Sequence, residues 1–107
     1  MRLTFTESGW SDYGYWFETD PAVTRRIHAL LRDALRTPTS GIGKPERLRG
    51  NLSGRWSRRI TGEHRMVYAI EGDEVVIESL RYHYRPERAV TILTGVDASG
   101  IPDAVKR

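Results

Sequence analysis

A chain of 107 residues with a formal net charge of +3 and no cysteine has room for one small domain with one modest core, and it excludes a disulfide framework or a thiolate metal centre. Hydrophobic residues make up 38% and charged residues 29%, the balance of a folded domain rather than a disordered one. No apolar run approaches the roughly 18 residues of a membrane span, and the opening MRLTFTESGW lacks the basic-then-apolar pattern of a secretion signal, so a cytoplasmic location is expected.

In chain order, Arg2 to Thr6 alternates Leu3 and Phe5 with polar neighbours, which predicts a short first strand. Ser8 is the expected N-cap of a helix on which Trp10, Tyr13 and Phe17 recur at helical spacing, a stripe that reads as core packing. Asp20-Pro21 starts a second helix, because aspartate caps free amides and proline needs no N–H partner at the first helical position. Val23, Ile27, Leu30, Leu31 and Ala34 form its apolar face, with Arg25, Arg26, Arg32 and Asp33 outside it and His28 beside it, partly exposed. Thr37-Pro38 ends that helix. From Thr39 to Arg49 the glycines, proline and charges predict a loop or a single helical turn that delivers Lys44 and Glu46 to the sheet.

Asn51 to Tyr68 reads as a β-hairpin with a turn at Thr61 to His64. Trp56, Ile60, Met66, Tyr68 and Ile70 are expected inside and the arginines on the opposite face. Between Lys44 and Tyr68 there are seven basic residues against two acids, Glu46 and Glu63, an excess that on a sheet face attracts polyanions. Glu74 to His83 is a third strand, with Val76, Leu80 and Tyr82 sharing or adjoining the core and Arg81 and His83 pointing away. The fold class is therefore α+β, an antiparallel sheet with two N-terminal helices packed on one face. Arg85 to Arg107, with one short apolar run from Ala89 to Leu93, is expected to be an extension dispensable for folding.

Few site types fit. GIGK at Gly41 to Lys44 is too short for a phosphate loop, and His28, His64 and His83 lack metal-ligand spacing. A carboxylate, an arginine and a histidine on a basic face suit RNA cleavage: one takes the proton of a 2′-hydroxyl, one stabilises charge on the phosphate, and one protonates the departing 5′-oxygen, without metal or cofactor. A basic strand face is also a common way to keep a sheet edge soluble, and a non-catalytic RNA- or ribosome-binding module is the second reading.

The segment KPERLRGNLSGRWSRRITGEHRMVY followed by RYHY, with W-x-x-Y-x-Y-W from Trp10 to Trp16 and E-T-D at Glu18 to Asp20, resembles the YoeB (Txe) toxins of the RelE superfamily. The likeness runs over residues 1–84, and 85–107 extends past the point where that family typically stops, so a toxin whose site this extension covers is a further alternative. It implies a RelE-like fold and a ribosome-dependent endoribonuclease that cuts mRNA in the A site of the 70S ribosome. It further implies neutralisation by a YefM-type antitoxin and a homodimer when free. By position, the resemblance makes Glu46 the general base, Arg65 the phosphate-stabilising arginine and His83 the general acid, with Tyr84 orienting the site. Lys44, Arg49, Arg55, Arg58 and Arg59 would bind RNA or the ribosome.

Overall fold

The computed structural model describes residues 1–50 and 53–82. The expectations for His83, Tyr84 and the 85–107 extension lie outside the described residues. The elements are β1 (Arg2–Phe5), α1 (Glu7–Thr19), α2 (Pro21–Arg36), β2 (Glu46–Arg47), β3 (Arg55–Arg59), β4 (Arg65–Glu71) and β5 (Glu74–Ser79). They form one five-stranded sheet in the order β1-β5-β4-β3-β2. The β2-β3-β4-β5 run is antiparallel as expected, whereas β1 joins the far edge parallel to β5, so the sheet is mixed. The physical reason is the connection: the chain leaves β1 through two helices that carry it across the sheet to the opposite edge, the kind of long crossover a parallel neighbour requires.

Local chemistry places the helix ends. Thr6, rather than Ser8, caps α1, its hydroxyl accepting from the Gly9 N–H at 3.0 Å. Asp20 caps α2 as expected, accepting from Ala22 and Val23 at 3.1 and 3.2 Å with Pro21 at the first helical position. Ile27, Leu30, Leu31 and Ala34 of α2 are buried against Ile60, Met66, Tyr68, Val75, Ile77 and Leu80, so the predicted apolar face is the core face.

The aromatic stripe of α1 is corrected in part. Tyr13 packs against the core as expected, but the buried residues of the helix are Gly9, Asp12 and Trp16, while Trp10 and Phe17 are 60% and 64% exposed and stack on either side of Tyr13. The helix is rotated because it lies close on β5: a Cβ at Gly9 would collide with the Ile77 carbonyl oxygen, so only glycine permits that approach.

The last strand also differs. β5 stops at Ser79, and it is Val75 and Ile77 that are fully buried, not Val76, while Tyr82 is exposed. Pairing of Ile70 with Val75 and of Tyr68 with Ile77 sets this phase, with a bulge beside Tyr68.

Candidate active site

The face away from the helices is read from the register. Glu46, Ser57, Val67 and Ser79 form one row across β2, β3, β4 and β5. Arg55, Ala69 and Val76 form the row on one side, and Arg59 and Arg65 the row on the other. Side chains alternate along strands, so Glu46, Arg55, Arg59 and Arg65 share one face, as the sequence predicts. Ser57, Val67, Ala69 and Ser79 are the buried small side chains between them. Arg55 and Glu78, from strands on either side of β4, meet with Nε and Oε1 2.7 Å apart.

Arg58 corrects the sequence reading. It lies on the helix-facing side of the sheet with Trp56 and is fully buried, so it cannot serve as a surface contact for RNA. Its guanidinium donates to Asp33 Oδ2 at 2.7 Å and, through Nε, to the Tyr68 hydroxyl at 3.0 Å. It also donates to the carbonyls of Thr37, Ser40 and Ile42 at 2.7, 2.9 and 3.2 Å. Tyr68 in turn donates its hydroxyl proton to the Pro38 carbonyl at 2.6 Å, and burial pushes its phenol up, keeping it neutral. Asp33, expected outside the apolar face, is buried and accepts from the Ile42 N–H at 2.9 Å. The alternation of Arg58 with Trp56 and Ile60 was the signal for this inward position.

These bonds hold the segment from Thr37 to Ile42 against the sheet, and Arg59 N–H to Gly43 carbonyl at 2.7 Å fastens its far end. At Gly41, with φ +115°, any side chain would occupy the place of the Asp33 carboxylate. The segment then delivers Lys44, exposed and with φ +53°, and Glu46, exposed on β2. Here the expected loop proves to end in a two-residue edge strand. A cleft of about 710 Å³ beside it is lined by Glu46, Arg47, Leu48, Arg49, Gly50 and Ser53, so Arg49 also stands near the Glu46 end of the face.

The Ile42 N–H and then the Arg58 guanidinium hold the Asp33 carboxyl below its usual range, against the opposing effect of burial. A carboxyl depressed in the folded state contributes stability that is present above its ordinary value of 3.8 and lost as pH falls through the lowered folded value. Asp33→Asn is therefore expected to flatten the acid limb of stability against pH, measured by denaturant midpoints across that range. Glu74, lowered first by the Thr4 hydroxyl and then by Arg2, retains its own share of the limb. An unchanged limb in Asp33→Asn would refute the assignment.

Arg65 stands at the start of β4. Its Nη1 donates to the carbonyls of Thr61, His64 and Gly62 at 3.0, 3.2 and 3.3 Å. No carboxylate among the described residues pairs with it, so its charge is free to meet an anion. Arg59 is exposed, and its carbonyl accepts from Arg26 at 3.1 Å. His64, which sequence reasoning left in a turn, accepts the Tyr82 N–H on Nδ1 at 2.7 Å. The chain passes from Tyr82 directly into His83 and Tyr84. Glu46 and Arg65 are thus brought to one face, Lys44, Arg49, Arg55 and Arg59 surround it, and Arg58 supports it from beneath.

The model of the YoeB-like toxins of bacterial type II toxin–antitoxin systems matches residues 5–84. The chain belongs to this family. Toxin YoeB of Escherichia coli K12 is 54% identical over 84 residues, which is 78% of this chain and 100% of that protein. Among solved structures, a YoeB/ParE toxin from Agrobacterium tumefaciens is 46% identical with a TM-score of 0.76, covering 78% of this chain and 100% of that one. A YoeB dimer from Staphylococcus aureus, at 40% identity and a TM-score of 0.73, covers 78% and 98% of the two chains. A YoeB–YefM complex from the same organism, at 39% and 0.72, has the same coverage. The RelBE2 toxin–antitoxin complex of Mycobacterium tuberculosis, at 24% identity, a TM-score of 0.59 and coverage of 77% and 96%, shares the fold alone. The α+β fold is accordingly of the RelE type, and the protein is a toxin of a toxin–antitoxin pair.

Proposed function

We propose that this toxin is a ribosome-dependent endoribonuclease that cuts mRNA in the ribosomal A site and so inhibits translation. The observation that carries the reading is the placement of Glu46 and Arg65 on one sheet face, with Tyr82, the residue before His83 and Tyr84 in sequence, fixed beside Arg65. Two strand spacings and two residues separate the Cα atoms of Glu46 and Arg65 by roughly 12 Å, a gap their side chains close onto a phosphodiester lying between.

In the proposed reaction Glu46 takes the proton of a 2′-hydroxyl, and the freed oxygen attacks the adjacent phosphorus. Arg65 meets the negative charge that gathers on the phosphate oxygens, and His83 gives a proton to the 5′-oxygen as the P–O bond breaks. The products are a 2′,3′-cyclic phosphate, or its opened 3′-phosphate, and a 5′-hydroxyl. Tyr84 orients this end of the site, and Lys44, Arg49, Arg55 and Arg59 hold mRNA and ribosomal RNA by their charge. A YefM-type antitoxin and a homodimer in the free state are the proposed protein partners, supported by the dimer and the YoeB–YefM complex of the relative from S. aureus.

Induction in cells, with mapping of mRNA 5′ ends on translated and untranslated copies of one transcript, tests the reading. Cuts confined to the translated copy are expected. Cuts that persist when translation is blocked would remove the ribosome from the mechanism, and a folded protein that makes none would favour a non-catalytic binding module.

A further inference from the structure

We propose that His64 is a positioning residue for the reaction, a fixed acceptor that sets the path of the chain into the general acid; the inference rests on the nuclease reading above. After pairing ends at Ser79, the backbones of Leu80 and Tyr82 are held by side chains and backbone from other elements. Asp12 accepts the Leu80 N–H at 2.9 Å, and Trp16 donates to the Leu80 carbonyl at 2.9 Å. Two residues on, His64 Nδ1 accepts the Tyr82 N–H at 2.7 Å, and the Arg65 N–H donates to the Tyr82 carbonyl at 3.2 Å. Both backbone groups of Tyr82 are therefore gripped by consecutive residues of the hairpin, and one of the two is the phosphate-stabilising arginine.

The grip is needed because Tyr82 has φ +60°, a left-handed conformation that a residue other than glycine keeps only when its surroundings hold it there. His64 is itself immobilised. Its carbonyl accepts from Ile60 at 2.9 Å and its N–H donates to the Thr61 hydroxyl at 3.1 Å. Its ring meets Trp16 edge to face with centroids 4.9 Å apart, and Tyr82 at the same 4.9 Å. Accepting on Nδ1 requires that nitrogen to carry no proton, which in the neutral ring leaves the proton on Nε2, 3.8 Å from Glu63. The ring thus joins the end of α1, the hairpin turn and the residue that precedes His83. Without the acceptor, Tyr82 is released to an ordinary conformation and the direction in which the chain leaves Tyr82 changes, while the core beneath is untouched.

Two substitutions separate the acceptor from the ring. His64→Phe keeps a ring between Trp16 and Tyr82 but removes the acceptor, whereas His64→Asn removes the ring and keeps an oxygen near the place of Nδ1. In single-turnover cleavage of mRNA on purified ribosomes, His64→Phe is expected to be slower by about 10- to 100-fold, the effect of small misplacement of a reacting group. The ribosome concentration for half-maximal rate should stay within about twofold, and His64→Asn should recover to within about threefold of the native rate. Amide exchange at Tyr82, read in the free protein, should accelerate in His64→Phe and remain slow in His64→Asn. A His64→Phe protein that cleaves at the native rate, or a His64→Asn protein as impaired as His64→Phe, would overturn the proposal. Tyr82 exchange that is unaltered in His64→Phe would overturn the clamp itself. A native protein that cleaves no ribosome-bound mRNA would overturn the nuclease reading and the positioning role with it, and a Tyr82 amide that still accelerates in His64→Phe would show that the clamp itself stands.

Discussion

Arg58→Ala is expected to lower the unfolding free energy by about 3–5 kcal/mol, the scale of removing one partner of a buried ion pair. For a domain of this size each kcal/mol lowers Tm by about 4–8 °C, so the loss is plain in a thermal melt. The substitution leaves Asp33 with one fewer charge-assisted partner and removes one donor each from three loop carbonyls and the Tyr68 hydroxyl oxygen. Arg59→Ala is the control: that side chain is exposed, and its removal is expected to change stability by no more than about 0.5 kcal/mol. Arg58→Ala combined with Asp33→Ala should cost less than the sum of the two single changes, because the double variant strands no charge. Equal melting of Arg58→Ala and Arg59→Ala would show that the buried arginine does not hold the fold. At temperatures where Arg58→Ala remains folded, cleavage should still be reduced, since the 37–44 segment that carries Lys44 and Glu46 loses its anchor.

The second large effect is on chemistry. Glu46→Gln is expected to slow single-turnover cleavage by about 10²–10⁴-fold, the contribution of a positioned general base, with Tm unchanged. The side chain is exposed on a two-residue edge strand, and its carboxylate has no partner among the described residues, so nothing in the fold depends on its charge. Arg65→Ala should remove about 3 kcal/mol of transition-state stabilisation, by analogy with the loss of one oxyanion donor, and weaken ribosome binding much less. It should also loosen the hairpin turn, whose carbonyls Arg65 ties, so its Tm is measured alongside. Native cleavage by Glu46→Gln would remove this residue from the base role and with it the proposed division of labour across the face.

What local pattern alone decides was legible from the residues. The Asp20-Pro21 start of α2, its Ile27, Leu30, Leu31 and Ala34 face, its end before Pro38 and the hairpin either side of Thr61 to His64 all follow from capping, periodicity and turn chemistry acting within a few residues. The same alternation that buries Met66 and Tyr68 puts Glu46 and Arg65 on one face once β2 pairs with β3. Family membership was legible too, because the K-P-E, N-L-S-G, E-H-R and R-Y-H-Y motifs stand in order along the chain.

Tertiary structure decided what depends on partners distant in sequence. Nothing local to Arg58 says that Asp33, twenty-five residues earlier, will neutralise it, so a charged side chain on the core face of β3 was read as a surface contact. Trp10 and Phe17 have the spacing of a core stripe, but the close approach of Gly9 to Ile77 turns Trp16 inward instead. Val76 and Val75 are equally apolar, and only the register with Ile70 and Tyr68 chooses between them. His64 gains its role because its turn folds back onto Tyr82. In each case the deciding energy is a contact made across the sheet or between layers, and spacing along the chain does not name the distant partner that makes it.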